Sequence, residues 1–328
     1  MSEPLLDVKN LNVAFEIGKG SLTVSSDVSF TLEKGKVLGL IGESGSGKTV
    51  TSLAILGLLP EHAAVTADHV NYRGIDIDKL PVEQFDKLRG SDLAMIFQDP
   101  VGSFNPVKTI GWHFLNVGRL HRREAASRKA LSDLAKDALA KVDIADPGNA
   151  LRSYPHQLSG GMLQRCLIAL VLFCKPSLIV ADEPTTNLDN LVERQIIGLF
   201  DKLRHEIDAS FIFITHDMTI AEQVSDDMIV MYAGQIVEQG ETHQILQNPR
   251  HPYTMGLVQT ARELEGNVEK LTEIAGDIGT GSWPENTCRF APRCPLFERT
   301  CDHAIALQEV PGHGKVRCIK AGQKDAFT

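Results

Sequence analysis

The residues best suited to chemistry in this chain lie at 42–49 and read Gly-Glu-Ser-Gly-Ser-Gly-Lys-Thr. An apolar run, 37–41, comes directly before them, and a stretch with helical character, 50–59, follows. Strand, glycine-rich loop and helix form a cradle for phosphate, because glycines let successive N–H groups point inward and the helix N-terminus adds partial positive charge. Lys48 is expected to reach the β- and γ-phosphates, and Thr49 to offer its hydroxyl to Mg²⁺. The pattern therefore predicts that a nucleoside triphosphate is bound by Gly42, Glu43, Ser44, Gly45, Ser46, Gly47, Lys48 and Thr49.

A pair of acidic residues, Asp182 and Glu183, follows the short apolar run 178–181. The end of a buried strand is where a phosphate-loop fold places a ligand of Mg²⁺, and this role is predicted for Asp182. Glu183 is predicted to polarise the attacking water as general base. In isolation, Asp-Glu-Pro is also typical of a helix start, where acidic residues are favoured.

A second candidate anion site lies at Ser159-Gly160-Gly161, immediately before the helical run 163–173. The beginning of a helix presents N–H groups to an anion, and a serine hydroxyl can add to them. Alone, Ser-Gly-Gly is a common turn. The presence of two candidate phosphate sites in one chain, at 42–49 and at 159–161, is more informative about function than either motif alone.

These motifs together resemble the ATP-binding cassette (ABC) ATPases, since residues 158–162 are similar to the signature sequence of that family. Gln98 resembles the Q-loop glutamine, Asp189 lies in a segment similar to the D-loop (Asn187-Leu188-Asp189), and His216 resembles the switch histidine. Phe15 occupies the place of an aromatic residue that stacks on adenine. The resemblance implies catalytic roles for Lys48, Gln98, Glu183 and His216, Mg²⁺ ligation by Thr49, Gln98 and Asp182, and nucleotide contacts from Phe15, Ser159, Gly160, Gly161 and Asp189.

More specific features resemble the ATPases of dipeptide and oligopeptide importers. They are the Q-loop segment 97–106, the tetrapeptide His251-Pro252-Tyr253-Thr254, and the closing cysteine-rich segment. The resemblance implies an α/β phosphate-loop NTPase fold, the ABC cassette, with a mixed sheet core, an antiparallel β-subdomain and a helical signature subdomain at about 100–170. It also implies a small cysteine-rich C-terminal extension. The expected domains are 1–250 and 251–328.

Four of the six cysteines, Cys288, Cys294, Cys301 and Cys318, lie close together in a proline-rich segment. A small module with few apolar residues gains cross-links from a metal, and four thiolates suit either Zn²⁺ or an iron–sulfur cluster. The family resemblance implies a [4Fe–4S] cluster. Zinc, unligated cysteines, and substitution by His303 or His313 stay open as alternatives. Cys166 and Cys174, in an apolar helical run, are expected to be core residues.

The resemblance implies that two ATPase chains pair head to tail across ATP. Because peptide importers often use two different ATPases, a heterodimer is expected. The implied partners are two transmembrane permease subunits and an extracytoplasmic peptide-binding protein, and the implied place is the cytoplasmic face of the bacterial inner membrane. The same role for nickel, opine or another small solute is an alternative. A soluble ABC ATPase without transport and a non-catalytic module are rivals, and Glu183 and His216 speak against the latter.

Composition agrees with this interpretation. The chain has 328 residues, 43% of them hydrophobic, and a net charge of −9, which argues against nucleic acid as a partner. No apolar run reaches the roughly 18 residues that cross a bilayer, and the first residues lack a secretion signal, so a cytoplasmic protein without disulfides is expected.

The elements that must position these residues follow from hydrophobic periodicity. Alternation predicts antiparallel strands at 5–15 and 24–32, with a hairpin turn at 33–36. Short apolar runs at 93–97, 178–181 and 211–214 predict buried strands, the last two parallel and central. Helical spacing is found at 79–90 and 109–142. Strands alternating with helices predict a layered α/β fold.

Overall fold

The computed structural model describes residues 3–18, 20–122, 125, 127–186, 188–265, 274–279 and 287–321. The chain divides into two compact units. The first comprises Met1–Lys79 and Phe213–Thr328, and the second comprises Leu80–Ile212.

The strands are β1 Leu6–Ile17, β2 Gly20–Leu32, β3 Val37–Ile41, β4 Ala63–Thr66, β5 His69–Tyr72, β6 Ile75–Asp76, β7 Leu93–Ile96, β8 Leu178–Asp182, β9 Ser210–Thr215, β10 Asp227–Tyr232, β11 Gln235–Glu241, β12 Gln308–Val310 and β13 Gly314–Val316. The helices are α1 Lys48–Ile55, α2 Val82–Leu88, α3 Ile110–His121, α4 Arg128–Lys141, α5 Pro147–Arg152, α6 Gly160–Cys174, α7 Asn190–Glu206, α8 Met218–Val224, α9 Thr242–Gln247 and α10 Pro252–Glu265. The boundary between the units falls within β9.

An antiparallel sheet in the first unit has the strand order β2-β1-β5-β6, and β4 also pairs with β1. Val8 lies opposite Phe30 and Leu6 opposite Leu32, and all four side chains are buried. Alternate residues of β1 therefore point into the core, as expected for a strand with one buried face. This confirms the antiparallel strands predicted from the alternation of apolar and polar residues.

The first unit also contains the strand order β12-β13-β11-β10-β3. All five residues of β3 are buried, and β3 pairs in parallel with β10. Residues 33–36 do form a turn, with the Lys36 N–H donating to the Glu33 carbonyl at 3.3 Å. The turn does not make a hairpin, because the continuous apolar run of β3 is buried on both faces and takes a parallel neighbour instead of β2.

The second unit is built on β7 and β8, which pair in parallel, and on helices α2 to α7. The helical stretch predicted at 109–142 is two helices, α3 and α4. Each begins at a side-chain cap: Thr109 accepts from the Trp112 N–H, and Ser127 accepts from the Ala130 N–H. Capping residues of this type satisfy N–H groups that the first turn leaves without intrahelical partners.

The cysteine-rich extension contributes strands and core side chains to the first unit. Strand β13 pairs with β11, and β12 pairs with β13. His313 lies 2.7 Å from the fully buried Glu238 carboxylate. Phe290 packs in the same apolar cluster as Ile41, the last residue of the strand that leads into the glycine-rich loop. Within the described residues, no helix combines the length and apolar character needed to cross a membrane.

Candidate active site

The loop at 42–49 joins β3 to α1 and contains three glycines whose φ angles are positive, a backbone conformation that other residues rarely adopt. Their φ angles are 154° at Gly42, 82° at Gly45 and 99° at Gly47. A Cβ at Gly42 would lie 2.3 Å from the Met231 carbonyl oxygen, so a side chain does not fit there. Helix α1 then begins at Lys48, with no acidic residue in its first turn. The loop can thus offer backbone N–H groups and a helix N-terminus to an anion.

Lys48 is the charged centre of this loop. Its side chain is buried, and its ammonium donates to the carbonyl oxygens of Gly42 at 2.8 Å and Glu43 at 2.9 Å. Ser46 is buried within the loop, whereas Ser44, Gly45 and Thr49 are exposed. A buried ammonium that is held by the loop's own carbonyl oxygens is well placed to contact a phosphate bound there.

Two residues that the sequence analysis did not assign to the site contact Glu43 of this loop. The hydroxyl of Tyr253 accepts from the Glu43 N–H at 2.9 Å, and the guanidinium of Arg293 donates to the Glu43 carboxylate. Tyr253 belongs to the tetrapeptide 251–254, which indicated only the subfamily, and Arg293 lies directly before Cys294. Nothing in the local pattern pointed to a loop more than 200 residues earlier.

Phe15 and His216 are the other predicted site residues of the first unit. Phe15 is half-buried near the end of β1, with its ring centroid 5.7 Å from that of His62. His216 is exposed and follows β9 directly. The next residue, Asp217, caps α8 by accepting from the Thr219 N–H at 2.7 Å. The cap keeps His216 between a buried strand and a helix start.

The second unit brings Gln98 and Glu183 within hydrogen-bonding distance. The Gln98 amide donates to Glu183 Oε2 at 3.3 Å, and the Thr186 hydroxyl donates to the same oxygen at 2.8 Å. Glu183 has a φ of 42°, a left-handed backbone conformation that is unfavourable for a residue with a side chain. Strain of this kind clusters at functional sites. Asp182, the last residue of β8, is 5% exposed. Thr186 was not predicted, because a threonine after a turn carries no sequence signal of its own.

The predicted second anion site lies at the beginning of α6. Ser159 is the capping residue, its hydroxyl accepting from the Met162 N–H at 3.3 Å, and the first turn of α6 holds no acidic residue. A Cβ at Gly161 would lie 2.5 Å from Val192 Cγ1, so α7 packs closely against this glycine. Asp189 caps α7 by accepting from the N–H groups of its first turn. Asn187, the first residue of the segment similar to a D-loop, lies outside the described residues.

The four cysteines of the extension line one small apolar cavity of about 20 Å³ together with Phe290 and Leu296. Burial raises the pKa of the Cys294 and Cys318 thiols to about 11, so both are neutral near pH 7. As they are arranged, the described residues include no group of three or more ligand side chains placed to hold a metal ion. Cys166 is buried in α6, as predicted for a core residue, and Cys174 in the same helix is half-buried.

Comparison with known protein families identifies two regions. Residues 25–186 match the model described as ABC transporter. Residues 237–301 match the model described as oligopeptide/dipeptide transporter, C-terminal region. The two matches do not overlap, residues 187–236 lie between them, and together they include the glycine-rich loop, Glu183, the signature-like segment and three of the four clustered cysteines.

Two curated relatives and one solved structure extend this result. The chain is 41% identical to the dipeptide transport ATP-binding protein DppD of Bacillus subtilis, over 94% of this chain and 92% of the relative. It is 39% identical to the oligopeptide transport ATP-binding protein OppD of Haemophilus influenzae, over 98% of both chains. The dimeric, post-hydrolysis ATP-binding cassette MJ0796, bound to ADP and phosphate, superposes with a TM-score of 0.65 at 24% identity, over 72% of this chain and 98% of that one. This likeness confirms the predicted cassette fold.

Proposed function

Since the chain belongs to the ABC transporter family, and within it to the dipeptide and oligopeptide importers, we propose that it is the ATP-hydrolysing subunit that powers peptide import through transmembrane partners. The observation that carries this proposal is the loop at 42–49. Its support is that this loop has three glycines with positive φ and a buried lysine ammonium, a combination that is suited to phosphate.

We propose that the loop and the start of α1 bind the triphosphate, with Lys48 against the β- and γ-phosphates. The hydroxyl of Thr49, the amide oxygen of Gln98 and the carboxylate of Asp182 are oxygen donors of the kind that Mg²⁺ prefers. When bound, Mg²⁺ would neutralise charge on the phosphates. Phe15, whose ring is half-buried at a strand end, is proposed to stack on the adenine.

Glu183 is proposed as the general base. Water attacks the γ-phosphorus in line with the bond to the bridging oxygen, a new O–P bond forms, and ADP leaves as the old bond breaks. The Glu183 carboxylate accepts the water proton. The hydrogen bonds that Glu183 accepts from Thr186 and Gln98 hold the carboxylate oriented for this step. His216 is proposed to hold the γ-phosphate.

The signature-like segment, Ser159, Gly160 and Gly161, together with Asp189, is proposed to act on ATP held by a second ATPase chain. The helix start at Ser159 is suited to a γ-phosphate because its first turn carries no opposing acidic side chain. ATP would then favour the paired state by contacting both chains, since a ligand shifts such an equilibrium only by its differential affinity. A heterodimer with a related ATPase is proposed.

The surface that follows β7 is proposed to contact the transmembrane permease subunits. It exposes four apolar side chains, Phe97, Val101, Val107 and Trp112, which are between 40% and 72% exposed. A contiguous patch of exposed apolar side chains is typical of a partner surface, and the proposal is that these four residues contribute to one. The proposed setting is the cytoplasmic face of the bacterial inner membrane, with an extracytoplasmic peptide-binding protein delivering cargo and no role for nucleic acid.

The four cysteines of the extension are proposed to hold a [4Fe–4S] cluster, with Zn²⁺ as the alternative. Support comes from the donor set, since Cys288, Cys294, Cys301 and Cys318 line a single apolar cavity. As they are arranged in the described residues the thiols are not grouped to hold a metal, so joint ligation would require them to move. Anaerobic purification followed by an absorption spectrum and iron and zinc analysis tests this. A colourless, metal-free protein with full activity would contradict the proposal.

The test of the proposed catalytic role is Glu183→Gln, which keeps the side-chain shape but removes the base. The variant is expected to bind ATP and to lose ATP turnover by a factor of about 10² to 10⁴ in the assembled transporter. Glu206→Gln, the same chemical change at an exposed position of α7, is the matched control. Turnover by Glu183→Gln at the control rate would show that another group acts as the base.

A further inference from the structure

The cysteine-rich extension holds the phosphate loop through an ion pair between Arg293 and Glu43. Arg293 Nη1 donates to Glu43 Oε2 at 2.9 Å, and Arg293 Nη2 donates to Glu43 Oε1 at 3.1 Å. The contact is bidentate, and the Arg293 side chain is only 7% exposed, against 30% for Glu43. Parallel donation from a guanidinium to a carboxylate is among the stronger hydrogen-bonding arrangements in proteins.

The Arg293 guanidinium is also held in place by contacts other than that with Glu43. Its Nε donates to the Ala275 carbonyl oxygen at 2.9 Å, and its Nη2 donates to that of Ile274 at 3.0 Å. The guanidinium also lies over the ring of Tyr232, 5.6 Å from the centroid. Because these contacts set the orientation of the guanidinium, little additional ordering is needed to hold the Glu43 carboxylate.

The main chain of Glu43 is held from the same side. The Tyr253 hydroxyl accepts from the Glu43 N–H at 2.9 Å. The ring of Tyr253 packs 4.8 Å from that of Tyr232 and 5.4 Å from that of Phe290, all three being buried. Both the side chain and the backbone of this loop residue are therefore positioned by groups outside the loop.

The ion pair matters because Glu43 is an acidic residue in a loop whose ligand is a polyanion. Its carbonyl oxygen contacts the Lys48 ammonium at 2.9 Å, so the residue belongs to the immediate surroundings of that charge. An uncompensated carboxylate there would repel the triphosphate and compete with it for Lys48. A guanidinium held against the Glu43 carboxylate compensates this negative charge, so that the net charge near Lys48 is less unfavourable to a phosphate.

We propose that Arg293 is a positioning residue for the nucleotide: it neutralises Glu43 and holds its carboxylate away from the phosphates, so that the extension sets the affinity of the loop for ATP. The inference rests on the proposed role of residues 42–49 in nucleotide binding. It links the segment that carries the four cysteines to that loop, since Cys294 directly follows Arg293.

The experiment measures the Kd for Mg·ATP of the full chain by titration calorimetry, for the wild type, Arg293→Ala, Arg293→Lys and the double variant Glu43→Gln with Arg293→Ala. Arg293→Ala is expected to raise the Kd about tenfold or more. Arg293→Lys is expected to raise it less, since lysine keeps the positive charge but cannot donate two parallel hydrogen bonds to the carboxylate. The double variant should recover most of the affinity, because no unpaired carboxylate remains. Arg299→Ala, which removes the same charge from an exposed position of the extension, is the control.

Salt separates an electrostatic role from a merely structural one. Raising ionic strength from about 0.1 M to about 1 M shortens the screening length from about 10 Å to about 3 Å, so the defect of Arg293→Ala should shrink. A Kd for Arg293→Ala equal to that of the control would overturn the proposal. So would a double variant as weak as Arg293→Ala alone, since the loss would then come from packing. If the wild type bound no ATP, the proposed function would fail instead.

Discussion

Protonation of His251 provides the sharpest test of how the extension is anchored. This side chain is fully buried, and its Nδ1 accepts from the Tyr253 N–H at 3.1 Å, which requires a neutral ring. The buried Glu238 carboxylate accepts from the main-chain N–H of His251 at 2.8 Å. Burial, reinforced by the positive charge of Arg317, lowers the pKa of His251 from 6.5 to about 3. Acid should therefore destabilise this part of the molecule.

The size of the effect follows from the difference between the two pKa values. Because the folded-state pKa lies below the unfolded one, the unfolded chain takes up the proton first as the pH falls. The contribution to stability is therefore complete above about pH 6.5 and is lost progressively towards pH 3. Between pH 7 and pH 5, the free energy of unfolding should fall by about 2 kcal/mol, at about 1.4 kcal/mol for each pH unit below the unfolded pKa.

The assay is urea unfolding followed by circular dichroism at pH 7 and pH 5. His251→Asn is the matched variant, because an asparagine oxygen can accept the Tyr253 N–H while the residue no longer titrates. Other groups titrate in both proteins, so the quantity compared is the change in unfolding free energy of the wild type minus that of the variant. Equal losses in the two proteins would refute the reasoning and show that His251 is solvated or can be protonated in the folded state.

Two further predictions concern glycines that other atoms approach closely. Gly42→Ala is expected to cost about 2 kcal/mol or more and to weaken ATP binding, because its Cβ would lie 2.3 Å from the Met231 carbonyl oxygen. Gly45→Ala, which meets nothing within 4 Å, should cost only about 1 kcal/mol for its left-handed backbone, and equal urea midpoints would contradict this contrast. Gly161→Ala should lower the Tm because its Cβ would lie 2.5 Å from Val192 Cγ1. Adding Val192→Ala should restore part of the loss, and the absence of any recovery would show that the close approach of α7 is not its cause.

Much of the fold could be predicted because it is recorded in short stretches of sequence. The apolar runs at β7, β8 and β9 were recognised within about one residue of their observed limits. Alternation in β1 and β2 and helical spacing in α3 and α4 reflect the geometry of a single element and its buried face. The break between α3 and α4 was missed, since the polar residues there fit the exposed face of one long helix.

Pairing between elements was harder to predict. Residues 33–36 carry a good turn signal, yet β3 pairs with β10, whose partner residues lie about 190 positions away. In the same way, β13 adds to β11 although the extension shows little periodicity. Choice of partner is a competition among all strands for burial and backbone hydrogen bonds, and no local window contains that information.

In the candidate site, too, local features could be predicted from the sequence, whereas contacts between side chains could not. The conformations at 42–49 follow from glycine and were anticipated, as was the beginning of a helix after Ser159. The sequence assigned the Ser159 hydroxyl to an anion site, whereas in the structure it caps α6. The hydrogen bond from Thr186 to Glu183 and the left-handed backbone of Glu183 were not anticipated. The sequence alone leaves several rotamers open to a side chain, and the neighbours that pack against it in the folded protein select one of them.

By itself, the sequence determined the chemistry: which residues can cradle phosphate, which carboxylates can handle a proton, and which segments are apolar enough to become buried strands. These are properties of residue types and short-range backbone geometry. Only the tertiary structure decided that Arg293, 250 residues after Glu43, would pair with its carboxylate, and that the Tyr253 hydroxyl would accept from the Glu43 N–H. Charge pairing and shared burial depend on distances in space, which the packing of distant elements sets after each has formed.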